Sequence, residues 1–93
     1  MQTRAAAGRP RLTPGAFLES RFLKPLSLSQ GRLARALGIS RRRVNEIIGG
    51  HRAISEDTAI RLGDYFGTGP EFWLRLQAAW DHHRAARQRR PRR

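Results

Sequence analysis

The sequence predicts an all-α fold: a five-helix bundle that carries a helix-turn-helix and is flanked by basic flexible tails. Three observations predict it. Residues 28–52 read as two short helices joined by a tight turn. Apolar residues elsewhere recur at three- and four-residue spacing, with no alternating run of the kind a half-buried strand needs. Thr13, Ser29, Ser40 and Ser55 each stand just before such a stretch, where a helix takes its N-cap.

The elements follow in order. Residues 1–12 are rich in Ala, Gly, Arg and Pro without apolar period, and read as a flexible basic arm. Thr13-Pro14 opens the first helix, Phe17, Leu18 and Phe22 give it an inward face, and Pro25 is expected to stop it. Ser29 caps the second helix, whose Leu33, Ala34 and Leu37 share one side while Arg32 and Arg35 point away. Gly38 stands where a left-handed C-terminal residue is wanted, and Ile39 plugs the turn.

Ser40 caps the third helix, with Val44, Ile47 and Ile48 inward and Arg42, Asn45 and Glu46 on the opposite side. Gly49-Gly50 ends it. Ser55 starts the fourth helix, with Glu56 and Asp57 where carboxylates suit the helix dipole, and Ala59, Leu62 and Phe66 inward. Pro70 opens the fifth. Its Phe72, Trp73, Leu74, Leu76, Ala78, Ala79 and Trp80 are too many apolar positions for one face, so a second face is expected against another chain, with Trp73, Leu74, Ala78 and Trp80 as dimer-interface candidates. The folded domain is expected to span residues 13–83, with residues 84–93 as a frayed basic tail.

Charge adds a direction to this plan. The 93-residue chain carries a formal net charge of +12, and 18 of its 19 cations are Arg. Arg offers a planar donor fork that matches phosphate and the guanine edge. The two-helix segment, residues 28–53, carries +5, and residues 54–83 carry −3. A basic face with an acidic back is the footprint of a protein that reads DNA.

In that geometry the start of the third helix meets base edges and the start of the second meets the backbone. Arg41, Arg42, Asn45 and Glu46 are the base-facing candidates: Arg for guanine, Asn for adenine, Glu as acceptor from cytosine. Glu46 lies four residues after Arg42, so an intrahelical pair is an equal alternative to a base contact. Ser29, Gln30, Ser40, Arg43, His51 and Arg52 are placed for phosphates. Nine Arg lie in the two tails, read either as solubilising segments or as arms that attract phosphate or enter the minor groove.

Other classes lose ground. There is no cysteine, and the adjacent His82 and His83 point about 100° apart on a helix, so no metal site is expected. No nucleophile elbow, phosphate loop or His-Glu zinc motif is present, so neither catalysis nor a cofactor is expected. No run of ~18 apolar residues suggests a membrane span, and a cytoplasmic setting is expected. At this length no small-molecule sensor domain is expected.

Four motifs together carry a resemblance: PGxFLxxxFLxPL from Pro14, SRxRVNEI from Ser40, IxxDTAxRL from Ile54 and YFGTxPEFWLxLQAAxD from Tyr65. The stretch from Pro14 to about His83 resembles the HigA antitoxins within the lambda-repressor-like (Xre) helix-turn-helix proteins. The resemblance implies a bacterial toxin–antitoxin system, and a homodimeric repressor of its own operon that recognises palindromic operator DNA. It also implies a partner toxin, usually a RelE-like ribonuclease that cuts mRNA. On matching positions it implies DNA binding by Gln30, Ser40, Arg41, Arg42 and Arg43, with Asn45 and Glu46 added, and dimerisation through the fifth helix. Gly69 stands where the family more often has Ser, and His51 where Lys is common. A stand-alone Xre-type repressor without a toxin is the alternative. A protein-interaction module with a vestigial helix-turn-helix is a third, which the +5 segment argues against.

Overall fold

The computed structural model describes residues 12–88; the basic arm expected over residues 1–12 falls almost wholly outside them. Five helices follow one another, and the described residues hold no strand. Helix α1 is built from an α segment (Pro14–Leu18), a π turn (Glu19–Leu23) and a last α turn (Lys24–Leu26). Then come α2 (Gln30–Leu37), α3 (Arg41–Ile48), α4 (Glu56–Phe66) and α5 (Pro70–Gln88).

All four expected caps form. The hydroxyls of Thr13, Ser29, Ser40 and Ser55 accept from the backbone N–H of Ala16, Arg32, Arg43 and Thr58, at 3.1, 3.1, 3.0 and 3.3 Å. Each satisfies a donor that a helix start leaves without a partner. Gly38 closes α2 in the left-handed region, φ +73, and the Ile39 N–H reaches back to the Ala34 carbonyl at 3.0 Å. That bond pattern fixes the tight turn into α3.

Pro25 does not stop α1 as expected. The helix continues through Leu26 and ends at Ser27, which takes φ +52. In the π turn the Lys24 N–H bonds to the Glu19 carbonyl, five residues back. A proline ring inside a helix clashes with the carbonyl four residues earlier, and widening the preceding turn relieves that clash. The C-terminal boundary also moves. The fifth helix runs to Gln88, so Arg84 to Gln88 belong to α5 rather than to a frayed tail.

The core joins all five helices through Leu18, Leu23, Leu33, Leu37, Val44, Ile47, Leu62 and Trp73. An aromatic cluster sits where α1, α4 and α5 meet. Phe22 lies 4.7 Å from Phe66 and 5.0 Å from Trp73, ring centre to ring centre. Trp73 is fully buried, and its indole N–H donates to Thr68 Oγ1 at 2.8 Å. Trp73 is therefore no dimer contact. Its ring provides the α5 side of the core, and its one polar atom is satisfied within the chain. Gln77, also buried, holds the loop before α4 by accepting from the Ile54 N–H at 2.9 Å.

Backbone approach decides one further residue. At Gly15, α1 lies directly against the Ile47 carbonyl of α3, where a side-chain methyl group would have no space. Gly15→Ala is expected to push α1 off α3 and to destabilise the domain by about 1–3 kcal/mol, as overpacking does. Thermal denaturation followed by circular dichroism checks this. At this size the melting temperature should fall by roughly 4–8 °C for each kcal/mol lost.

Candidate nucleic-acid interface

Helix α3 opens with three Arg, of which Arg41 and Arg42 are exposed and Arg43 is half-buried, and its flanks decide what each does. Ser40 and Arg41 begin it beside the first turn of α2, and the Arg41 guanidinium rests next to Gly31. Arg41 makes no ion pair among the described residues. Asn45, one turn on, donates from Nδ2 to Gln30 Oε1 at 3.1 Å, which ties the outer surface of α3 to the start of α2. Arg41, Arg42 and Asn45 thus share one surface, and Gln30, placed among the phosphate contacts by sequence, joins them there.

Glu46 is gripped from two sides. Arg42 Nε donates to Glu46 Oε2 at 3.0 Å. Arg52, in the loop beyond α3, donates to Glu46 Oε1 from Nε at 2.9 Å and lies 2.8 Å from it through Nη2. The loop reaches that position because Gly50 turns left-handed, φ +81, and the His51 N–H bonds to the Glu46 carbonyl at 2.8 Å. The Arg52 and then the Arg42 hydrogen bonds hold the Glu46 carboxyl below its usual range. The i,i+4 pair that the spacing allows is present, and the i,i+6 pair to Arg52 was not anticipated.

Arg43 departs from its expected phosphate role. Its guanidinium turns toward α4, where Nη2 donates to Asp57 Oδ2 at 2.8 Å and to Thr58 Oγ1 at 2.6 Å. Asp57 also accepts from Arg61 Nε at 3.0 Å, and Arg61 Nη1 donates to the Leu37 carbonyl at the end of α2 at 2.8 Å. One carboxylate therefore locks α3 to α4 and, through Arg61, to α2. The sequence signals only the local part, since Asp57 and Arg61 are four residues apart while Arg43 and Asp57 are fourteen apart.

Ser29 and Ser40 spend their hydroxyls on capping bonds. His51 is exposed and lies over Gly49. The longer α5 brings Arg84 to a hollow of about 240 Å³ that His51, Arg52, Gly50, Thr13 and Trp80 also line. Arg84, placed in the tail by sequence, therefore joins the basic surface beyond α3.

The remaining dimer candidates do not share a face. Trp80 packs its ring 5.5 Å from His83 on the side of that hollow. Leu74 and Ala78 lie one turn apart on another side, Leu74 half-buried against the core and Ala78 exposed. The described residues hold no cluster suited to a metal ion, and no described helix is long and apolar enough to cross a membrane.

A tight turn, a capped outward-facing second helix and a close partner helix behind it define a helix-turn-helix protein. The family model described as "Helix-turn-helix" matches residues 21–73. The chain is 46% identical over 72 residues to Virulence-associated protein I of Dichelobacter nodosus, covering 77% of this chain and 67% of that protein. It is 40% identical to the uncharacterised HTH-type transcriptional regulator YbaQ of Escherichia coli, covering 81% of this chain and 66% of that one. The chain spans about two thirds of the length of these curated relatives. Among solved structures, the Pseudomonas aeruginosa antitoxin HigA with the higBA promoter matches at a TM-score of 0.78 and 44% identity, over 83% of each chain. The chain belongs to the helix-turn-helix family and, within it, to the HigA-like antitoxins.

The Asp57 lock carries a pH prediction. Hydrogen bonds from Arg43 first, and then Arg61, lower its carboxyl from the ordinary 3.8. The native state thus takes up this proton less readily than the unfolded chain. The contribution is present above the unfolded value and fades as pH falls through the lowered native one. Asp57→Asn should reduce the melting temperature at pH 7, and the gap to the parent should narrow below about pH 4. Paired thermal melts from pH 7 to pH 2 measure it.

Proposed function

We propose that this chain is an antitoxin that represses its own operon as a homodimer and neutralises a partner toxin of the RelE-like, mRNA-cleaving class. The observation that carries the DNA part is the shared surface of Arg41, Arg42, Asn45 and Gln30 at the junction of α2 and α3. Its position is that of a helix entering the major groove with its first turns against base edges.

In this reading each group has an assigned role. Arg42 has its Nε on Glu46, which leaves its two terminal nitrogens as a fork for guanine O6 and N7. Gln30 orients Asn45 with Oε1 and keeps Nε2 for a phosphate. The N-terminal amides of α2 and α3, together with Arg52, His51 and Arg84, follow the backbone. A second copy meets this one along α5, through Leu74 and Ala78, and the two reading helices then address half-sites about 34 Å apart or a multiple of that. Support for an operator comes from the HigA structure solved with its promoter. The toxin partner is supported by the same kinship.

The second reading is a stand-alone repressor. The match to YbaQ, named only as a transcriptional regulator, favours it. Co-expression with the neighbouring reading frame separates the two: a toxic product silenced by this chain supports the antitoxin, and an inert neighbour supports the plain repressor.

The DNA assignment is tested by fluorescence anisotropy on the duplex upstream of the gene against a scrambled duplex, at two salt concentrations. A preference of roughly 10³ or more is expected. In the same assay Arg42→Ala should cost about 1–3 kcal/mol and relax selectivity at one base position, whereas Arg52→Ala should weaken all duplexes alike. Equal losses on both duplexes for both variants would overturn these roles.

A further inference from the structure

We infer that Glu46 is a specificity-determining residue that acts as a brake on indiscriminate DNA binding: its carboxylate neutralises Arg42 and Arg52 in the free protein instead of reading a base. This rests on the DNA-reading surface proposed above and adds to it a control on charge.

The geometry separates the two roles that the sequence leaves open. A base-reading carboxylate needs a free oxygen to accept from cytosine N4. Here Oε2 accepts from Arg42 at 3.0 Å, and Oε1 accepts from Arg52 at 2.9 Å with a second contact at 2.8 Å. Exposure points the same way. The Glu46 side chain is 26% exposed, while its partner Arg42 is 84% exposed, so the cation and not the carboxylate stands outermost on α3. A base edge approaching this face meets the Arg42 fork first.

The pairing with Arg42, which is open to solvent, adds little to stability. Its consequence is electrostatic. Random duplex attracts a protein through phosphate neutralisation and counterion release, in proportion to the cations it engages. A carboxylate within hydrogen-bonding distance of two of those cations repels any phosphate that approaches them. Random DNA is held through its phosphates alone, so nothing offsets that repulsion. A duplex with guanine under the Arg42 fork gains directional hydrogen bonds that the carboxylate leaves untouched.

Glu46→Gln keeps the shape and removes the charge. Binding to a random duplex should tighten about 3–10-fold at low salt, and the slope of log affinity against log salt should steepen by about one to two. Operator affinity should change less, so the ratio between the two duplexes falls. In the Arg42→Ala/Arg52→Ala background the same substitution frees no paired cation, so the salt slope should no longer steepen, which a merely structural role would not predict. Far-ultraviolet circular dichroism confirms that each variant is folded. Unchanged random-duplex affinity and slope overturn the inference. A loss confined to one C·G position of the operator overturns it too, and makes Glu46 a base reader. The random-duplex arm needs no operator, so it decides the role of Glu46 even if the parent protein shows no preference between duplexes, an outcome that would sink the operator assignment alone.

Discussion

A helix of eight residues does not persist alone in water, so the behaviour of α3 depends on what grips it. Three contacts do so. Val44 and Ile47 are buried in the core, Gly15 of α1 lies against the Ile47 carbonyl, and Arg43 is bound by Asp57 and Thr58 of α4. The first two set the depth of α3, and the third sets its rotation, because a side chain held at its tip resists turning about the helix axis. Asp57 shares its carboxylate with Arg61, which donates to the last carbonyl of α2. The angle between α2 and α3 is therefore fixed twice: by the Gly38 turn in front and by this network behind. A surface that places side chains against base edges needs that rigidity, since small displacements forfeit directional hydrogen bonds.

Three adjacent Arg illustrate how position decides chemistry. Each step along a helix turns a side chain by about 100°. Arg41 falls beside α2, Arg42 falls on the open face, and Arg43 falls at the margin of α4, where it is half-buried and pairs internally. A charge count assigns all three to DNA. The helical rotation, together with where α4 happens to pack, assigns the third to the scaffold.

Legibility in the sequence follows the range of the interactions. Caps, the Gly38 turn and the inward stripes of α2 and α3 arise from contacts within a few residues, and those are readable from spacing. Pro25 misleads because its usual effect is local, while a π turn just upstream absorbs it. Trp73 misleads for the opposite reason. An apolar excess on α5 suggests a second interface, yet Phe22 and Phe66, distant in sequence, surround Trp73 and take that one residue into the core. The exposed side of α3 is readable from spacing, but its internal partners are not: Gln30 for Asn45, Arg52 for Glu46, and Asp57 with Thr58 for Arg43 are tertiary pairings with no fixed spacing.

Those partners bear on a difficulty that a formal charge of +12 creates. Phosphate attraction is long in range and blind to sequence, so added cations raise affinity for every duplex at once. Glu46 takes up Arg42 and Arg52, and Asp57 takes up Arg43 and Arg61, so two carboxylates partly neutralise four guanidinium groups around α3. Within the two-helix segment Arg32, Arg35 and Arg41 make no ion pair among the described residues, and all three are exposed. The unpaired charge therefore lies along α2 and at the very start of α3. Of the paired cations, Arg42 stands on the open face of α3, Arg52 lies in the loop beyond it, and Arg43 meets Arg61 at the margin of α4. Such a division lets attraction draw the protein to DNA while discrimination depends on hydrogen-bond geometry, because a paired guanidinium keeps its directional donors even as its net field is reduced.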